Sequence, residues 1–309
     1  MVLGMRSGPV LAIDIGGTKL AAAVVDADGT CHARRRRATP VATPASVGDG
    51  ARELLDAVVD LAVRSRREWE RSAGAGSTPP VAVGVGCGGP MTAGGELVSP
   101  LNIAAWREFP LRRALQEAFG LPVFVDNDAK ALARAEGWLG AARHERNYLA
   151  MVVSTGVGAG IVVDGRLLDG ATGNAGHLGH VIVEPDGRRC ACGAQGCLEA
   201  ETSGTAIAAM TGRPAAMAPL ELRVRAGRLV GRAVASAVSL LDLRLATVGG
   251  SVALGFGAPL FAAANAELAE RSRLSFAAGA RIVPVGLGDQ APLLGAAAVA
   301  LHRHGTDEA

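Results

Sequence analysis

Residues 10–26 read VLAIDIGGTKLAAAVVD. Two short apolar runs, VLAIDI (10–15) and LAAAVVD (20–26), have the length and composition of buried strands, and Gly16, Gly17, Thr18 and Lys19 form the turn between them. An ordinary hairpin turn accounts for two glycines. It does not account for an acid (Asp14), a hydroxyl (Thr18) and an amine (Lys19) gathered around them. The backbone N–H groups of such a turn make a concave anion site. Asp14 can hold Mg²⁺ directly or through water, so the set reads as a phosphate loop. A D-x-D-G turn at 26–29 then introduces a third strand, which ends in the basic run Arg34–Arg37, read as a solvated edge.

The same plan recurs at 147–170, NYLAMVVSTGVGAGIVVDGRLLDG. A strand meets a glycine turn, Thr155 to Gly160, and a second strand and a D-G turn follow. Two such units, each with a phosphate-type loop, predict two similar α/β domains. Between them, Ser46 and Asp49 are placed to cap a helix reaching about residue 70, with Leu54, Val58, Leu61 and Ser65 on one face. RSAGAGSTPP (71–80) reads as a loop. In VAVGVGCGGP (81–90), Gly84, Gly86 and Gly89 spell a dinucleotide fingerprint, but Pro90 follows with no helix behind it, so that reading fails.

PVFVDNDAKALARAEGWLG (122–140) is a strand ending at Asp126-Asn127-Asp128, where a helix begins. Asp126 and Asn127 fit helix caps. The second carboxylate, Asp128, exceeds what capping needs and stands at a strand end, where α/β folds bind ligands. Val248-Gly249-Gly250-Ser251 ends a later strand at another close-approach glycine site.

HLGHVIVEPDGRRCACGAQGCLE (177–199) holds three of the five cysteines, Cys190, Cys192 and Cys197, with His180 upstream. Three thiolates and an imidazole are a closed tetrahedral set for structural Zn²⁺. A disulfide is the competing reading. It is disfavoured by the odd cysteine count, the isolation of Cys31 and Cys87, and an N-terminus without a secretory pattern.

The chain has 309 residues, enough for two domains, with 49% hydrophobic residues and a net charge of +2. That charge is too small to argue for nucleic acid, and no apolar run approaches the roughly 20 residues of a membrane helix. A cytoplasmic enzyme is expected, with neither nucleic acid nor membrane as partner. Lysine occurs only at Lys19 and Lys130, and arginine takes every other basic position.

Taken in order, LAIDIGGTK, GVGCGGP with PLNIAAW, VDNDA, STGVGAGI, GHLGHV with CACGAQGCLE, and ATVGGS resemble the kinase branch of the ROK family of bacterial sugar kinases and repressors. The match runs from residue 11 to about 295. The resemblance implies an α/β, two-domain actin/hexokinase-like ATPase fold with ribonuclease H-like halves and a zinc-binding loop. Residues 1–120, completed by a C-terminal helix at about 291–309, would form the small domain, and 121–290 the large one. ATP and sugar would bind between them, and closure would exclude water. Asp14, Gly16, Gly17, Thr18 and Lys19 would form the first phosphate loop, Thr155, Gly156 and Gly158 the second, with Gly249 and Gly250 near the adenosine. Gly89, Asn102, Asn127, Asp128, His177, His180 and Glu199 would hold the sugar, and Asp128 would be the general base. His180, Cys190, Cys192 and Cys197 would hold zinc, one His180 nitrogen on the metal and the other on a sugar hydroxyl.

The implied reaction is transfer of the γ-phosphate of MgATP to the 6-hydroxyl of a hexose, with glucose as the default and N-acetylmannosamine or N-acetylglucosamine as the alternative. A homodimer is also implied. Only 13 residues precede Asp14, too few for the helix-turn-helix domain of the family's sugar-sensing regulators. A filament-forming actin-like ATPase would need neither Asn127-Asp128 nor the cysteine loop. Two positions depart from the family pattern. Gly88 stands where proline is frequent, and His177 stands where hexose kinases usually carry a glutamate against the C1 and C2 hydroxyls.

Overall fold

A computed structural model describes residues 8–40, 49–74 and 77–303. The chain divides into two units. Unit 1 comprises the chain through Ala135, the segment Asp169–Asn174 and the chain from Asp289; unit 2 comprises Glu136–Leu168 and Ala175–Gly288. Each has its own apolar core.

In unit 1, strands β1 (Val10–Ile15), β2 (Lys19–Val25) and β3 (Cys31–Ala38) form an antiparallel meander. Strands β4 (Ala82–Cys87) and β5 (Val123–Asn127) then add in parallel on the other side of β1, giving the order β3-β2-β1-β4-β5. Every residue of β4 is buried, as expected for a parallel strand covered on both faces. Helix α1 (Asp49–Ala73) turns Leu54, Val58, Leu61, Ser65 and Trp69 inward, and the Ser65 hydroxyl donates to the Ala33 carbonyl at 2.8 Å. The expected cap residue Ser46 lies outside the described residues. The helix also runs three residues into the stretch read as a loop, to Ala73.

Helix α2 (Leu111–Phe119) leads to β5, and β5 passes into α3 (Asp128–Trp138) with no loop between them. The sequence-based boundary at residue 120 therefore differs from the structural one. The reason is backbone pairing: Val83–Cys87 ladder with Val123–Asn127, which commits β5 and the start of α3, Asp128 included, to unit 1. The C-terminal helix α9 (Ala291–Arg303) packs on β1, β4 and β5. Gly84 makes that possible, since a Cβ there would lie 2.0 Å from the Ala296 carbonyl oxygen.

Unit 2 repeats the topology. Strands β6 (Tyr148–Val153), β7 (Val157–Val163) and β8 (Arg166–Leu167) form the meander, and β9 (Leu245–Gly249) and β10 (Arg281–Pro284) add in parallel, in the order β10-β9-β6-β7-β8. Helices α4 (Leu198–Thr202), α5 (Gly204–Thr211), α6 (Leu220–Leu241), α7 (Ser251–Phe256) and α8 (Ala258–Arg271) follow the cysteine loop, and α9 (Ala291–Arg303) belongs to unit 1. Both units thus carry the ribonuclease H-like strand order of the actin/hexokinase class. Among the described residues, no helix is long and apolar enough to cross a membrane.

The glycine turn expected at 155–160 is shorter than its sequence implied. Only Ser154–Gly156 form the turn, because Gly158 and Gly160 lie in β7, opposite Val152 and Ala150. The Arg34–Arg37 run is an exposed edge at Arg36 and Arg37, as expected, and carries ion pairs besides. Arg34 and Arg36 both bond Asp289, ahead of α9, and Arg35 bonds Glu68 on α1.

Candidate active site

In unit 1, Asp14 pairs across the sheet with Gly86 of β4, and Gly86 pairs with Asp126 of β5. A Cβ on Gly86 would stand 3.7 Å from Asp14 Oδ1 and 3.8 Å from the Cα of Asp128, so this glycine is the floor between the two acids. Burial, and next the charge of Asp128, push the Asp14 carboxyl up to about 7, with Arg36 pulling the other way. The Cys87 thiol, one residue on, is pushed well up by burial and by Asp128 and Asp14. Two acids of this kind, with oxygen ligands to offer, fit a hard divalent cation such as Mg²⁺.

The Gly16–Thr18 turn is closed by the Gly16 N–H on the Lys19 carbonyl (3.0 Å) and by the Thr39 hydroxyl on the Gly16 carbonyl (2.6 Å). Thr18 and Lys19 are exposed. Gly17 is needed for close approach: a Cβ there would sit 2.8 Å from both the Cβ and the carbonyl oxygen of Asn102. The Gly16–Thr18 turn and Asn102 are therefore neighbours, although 85 residues of sequence separate Gly17 from Asn102. The Gly89 carbonyl accepts the Leu101 N–H at 3.1 Å, fixing the start of the Asn102 loop.

Arg107 shapes that same loop, a role that no sequence pattern announced. Its Nη1 faces the carbonyls of Pro100, Ile103 and Trp106 at 3.0, 2.8 and 2.6 Å. The buried Trp106 ring stacks on Phe109 at 4.7 Å and donates to the Ala51 carbonyl.

Asn127 caps α3: its Oδ1 accepts the N–H groups of Ala129 (3.0 Å) and Lys130 (3.4 Å). Its side-chain NH₂ is the part left for a ligand. Asp126, the other residue that fits a cap, is instead 2% exposed and paired with Lys130 and Arg134. Asp128 is exposed at the first position of the helix.

In unit 2, His180 closes a short 3₁₀ turn, Leu178–His180, that packs on β7. His180 Nδ1 lies 3.7 Å from Cys190 Sγ, and Cys192 Sγ lies 3.7 Å from Cys197 Sγ. All four ligand atoms fall within 4.8 Å of one another. Sulfurs about 2.3 Å from one tetrahedral zinc stand roughly 3.8 Å apart, so the set fits that ion. Nδ1 faces the thiols, which leaves Nε2 for a second partner. Gly196, at φ +76°, would drive a Cβ within 1.7 Å of the Glu184 carbonyl oxygen, so only glycine can close this knuckle.

The His177 ring stacks on that of His180, with centroids 6.1 Å apart and planes 20° from parallel. Glu199, on α4, accepts the Val157 N–H at 2.8 Å and so joins the cysteine loop to the second glycine turn. The hydroxyl of Ser154 meets that of Ser251 at 2.9 Å, beside Gly250, and the Thr205 hydroxyl donates to the Thr155 carbonyl. The structure thus gathers Asp14, Gly16–Thr18, Asn102 and Asp128 in unit 1, and Thr155–Gly158, His177, His180, Glu199 and Gly249–Gly250 in unit 2.

The profile of the ROK family matches residues 10–303, and the chain belongs to that family. It is 39% identical over 265 residues to the N-acetylmannosamine kinase of Citrobacter koseri, covering 80% of this chain and 84% of that protein. Among solved structures it is similar to a ROK hexokinase from Thermus thermophilus (35% identity, TM-score 0.74, 94% of this chain and 97% of that one). It is also similar to a ROK glucokinase from Streptomyces griseus in complex with glucose and AMPPNP (29% identity, TM-score 0.79, 94% and 98%).

The perturbed acid makes a measurable statement about stability. Asp14 has an ordinary value of 3.8 and is raised to about 7 in the fold. Between those values the folded chain holds the proton more tightly than the unfolded one, so this group's contribution to stability falls as pH rises through the window. Without added divalent metal, Asp14→Asn should melt a few degrees above the wild type at pH 8, and the gain should vanish near pH 4. Equal melting temperatures at pH 8 would show that the carboxylate is not under this strain.

Proposed function

We propose that this chain is an N-acetylmannosamine kinase, transferring the γ-phosphate of MgATP to the 6-hydroxyl of that sugar. At the level of class, the chain is an ATP-dependent sugar phosphotransferase. The observation that carries the finer reading is the 39% identity to the Citrobacter koseri enzyme, supported by 35% identity to the corresponding kinase of Yersinia pestis over 81% of this chain and 85% of that protein. Glucose, the default from the family resemblance, has less support: the glucose-bound relative is 29% identical. His177 fits the same preference. A neutral imidazole accepts one hydrogen bond and donates one, whereas a glutamate accepts from two hydroxyls. At the C1–C2 side of the sugar, an N-acetyl group replaces one such hydroxyl with a carbonyl acceptor, which the imidazole N–H can bond.

Asp128 takes the proton from the attacking hydroxyl as the sugar oxygen bonds to phosphorus and the bond from phosphorus to the ADP oxygen breaks. Asn102 and the Asn127 NH₂ orient the sugar, while His180 Nε2 and the second oxygen of Glu199 bond its hydroxyls. The Gly16–Lys19 turn and the Thr155–Gly158 segment hold the phosphates through backbone N–H groups, a hydroxyl and an amine. Mg²⁺, when bound near Asp14, neutralises charge on the phosphates. Zinc, when bound, supplies the cross-link that orders the loop from His180 to Cys197. Burial, and next the adjacent thiols, push Cys197 up to about 12, so without a cation beside it this group stays a thiol. A homodimeric, cytoplasmic enzyme is part of the same proposal.

A coupled assay of ADP release over N-acetylmannosamine, N-acetylglucosamine, glucose, mannose and allose should give the highest kcat/KM for N-acetylmannosamine. Asp128→Asn should bind sugar but lose on the order of 10²–10⁴ in turnover. A wild type that prefers glucose, or an Asp128→Asn enzyme of near-normal rate, would refute the respective assignment.

Position 177 can be tested separately. His177→Glu should shift kcat/KM towards glucose relative to N-acetylmannosamine. An unchanged ratio in a folded variant would mean that this side chain does not read the sugar.

Metal analysis of dialysed protein should find about one zinc per chain. Cys192→Ala should lose the metal, thermal stability and sugar affinity together. Protein with no zinc and undiminished affinity would overturn the structural-metal reading.

A further inference from the structure

Lys130 takes no part in the chemistry above, yet it is 1% exposed and among the largest fully buried side chains in the protein. Burying an ammonium group is unfavourable unless its N–H groups are matched. Here all three are. Nζ lies 3.2 Å from Asp126 Oδ1 and 2.5 Å from Asp169 Oδ1, and donates to the Gly173 carbonyl at 3.2 Å. Asp126 also faces Arg134 at 3.4 Å, and its Oδ1 accepts the N–H of Asn127 at 2.9 Å.

These partners lie on two separate stretches of chain. Asp126 and Lys130 bracket Asn127 and Asp128. Asp169 and Gly173 belong to the segment Asp169–Asn174, which packs with unit 1 although the chain on both sides of it belongs to unit 2. Asn174 fastens the same segment a second time: its Oδ1 accepts the Met91 N–H at 3.1 Å and its Nδ2 donates to the Met91 carbonyl at 2.9 Å. His177 follows three residues later.

We propose that Lys130 is a positioning residue for sugar binding. It ties the strand end bearing Asn127 and Asp128 to the segment that leads into His177, so that one buried ammonium sets the origin of both. An ion pair serving α3 alone would need only Asp126, and Arg134 already faces that acid. The contacts to Asp169 and Gly173 go beyond it. Residue choice agrees, since Lys130 is one of two lysines among 31 basic residues. A single nitrogen with three tetrahedral donors can meet three convergent acceptors, which the planar guanidinium fork cannot do from one point. The inference rests on the sugar-kinase reading above.

The test compares Asp169→Ala, Asp169→Glu and Lys130→Met with the wild type. Asp169 has a side chain 56% exposed, so its removal should leave the protein folded. Asp169→Ala should raise KM and the calorimetric Kd for the sugar by about tenfold, the size of one charge-assisted hydrogen bond. KM for MgATP should stay within about a factor of two. Asp169→Glu should recover most of the sugar affinity, and Lys130→Met should lose more than Asp169→Ala. Amide exchange in 169–176 should quicken in both weakened variants. Unchanged sugar affinity in folded Asp169→Ala, or equal loss for sugar and MgATP, would overturn the proposal and leave a merely structural ion pair. If Lys130→Met does not fold, the Asp169 pair decides alone. If the wild type phosphorylates no sugar, the kinase reading fails, and exchange in 169–176 still reads the tether: unchanged rates in Asp169→Ala refute it.

Discussion

The hydrogen-bond register of three strands in unit 1 determines where its acids lie. Because β1 ladders with β4 and β4 with β5, Asp14, Gly86 and Asp126 fall in one row. The side-chain alternation of a strand then turns Asp126 into the interior, and the strand passes directly into α3, leaving Asp128 exposed at its first turn. A slip of one residue would turn Asp126 to the opposite face of the sheet and break the row it shares with Asp14 and Gly86. Burial is the first cause of the raised Asp14 carboxyl, and the nearby Asp128 adds to it.

Unit 2 reaches its arrangement by another route. Its second glycine turn is only three residues long, and the surrounding small residues serve packing. The 176–179 backbone lies against β7, with the Ala159 N–H on the Gly176 carbonyl at 3.0 Å. The loop to Cys197 has few apolar side chains to hold it, so ion pairs take that part, beside a His180, Cys190, Cys192 and Cys197 set that could hold a metal. Glu201, 2% exposed, accepts the Arg188 N–H and pairs with Arg225 of α6 at 2.7 Å. Arg232 of α6 bonds the Val183 carbonyl at 2.7 Å. The cysteine knuckle thus hangs from a helix through arginines.

Much of this was readable in advance, for definite physical reasons. Strands bounded by glycine turns announce themselves by apolar runs, and the His180–Cys197 set by ligand chemistry. What escaped reading depends on distant pairing. Lys130 and Arg134 stand close to Asp126 in the sequence, but the second acid on Lys130, Asp169, lies 39 residues further on. Gly158 and Gly160 look like turn residues until their pairing with Val152 and Ala150 is known. The pairing of Arg34 and Arg36 with the exposed Asp289, 253 residues beyond Arg36, is likewise invisible in the local sequence. The unit division falls after Ala135 and not at 120 for the same reason, because strand pairing assigns β5.

The scarcity of lysine has a chemical consequence. Of the two lysine side chains, Lys130 is sealed in the interior and Lys19 is exposed at the first strand position after the Gly16–Thr18 turn. Any acylating agent, whether an activated ester used for labelling or a cellular acyl donor, therefore meets a single accessible side-chain amine. That amine sits where the phosphates are expected to bind. Among side chains, amine-directed immobilisation or labelling of this protein is in effect directed to Lys19, the α-amino group being the other target, and a nucleotide bound there would shield the lysine.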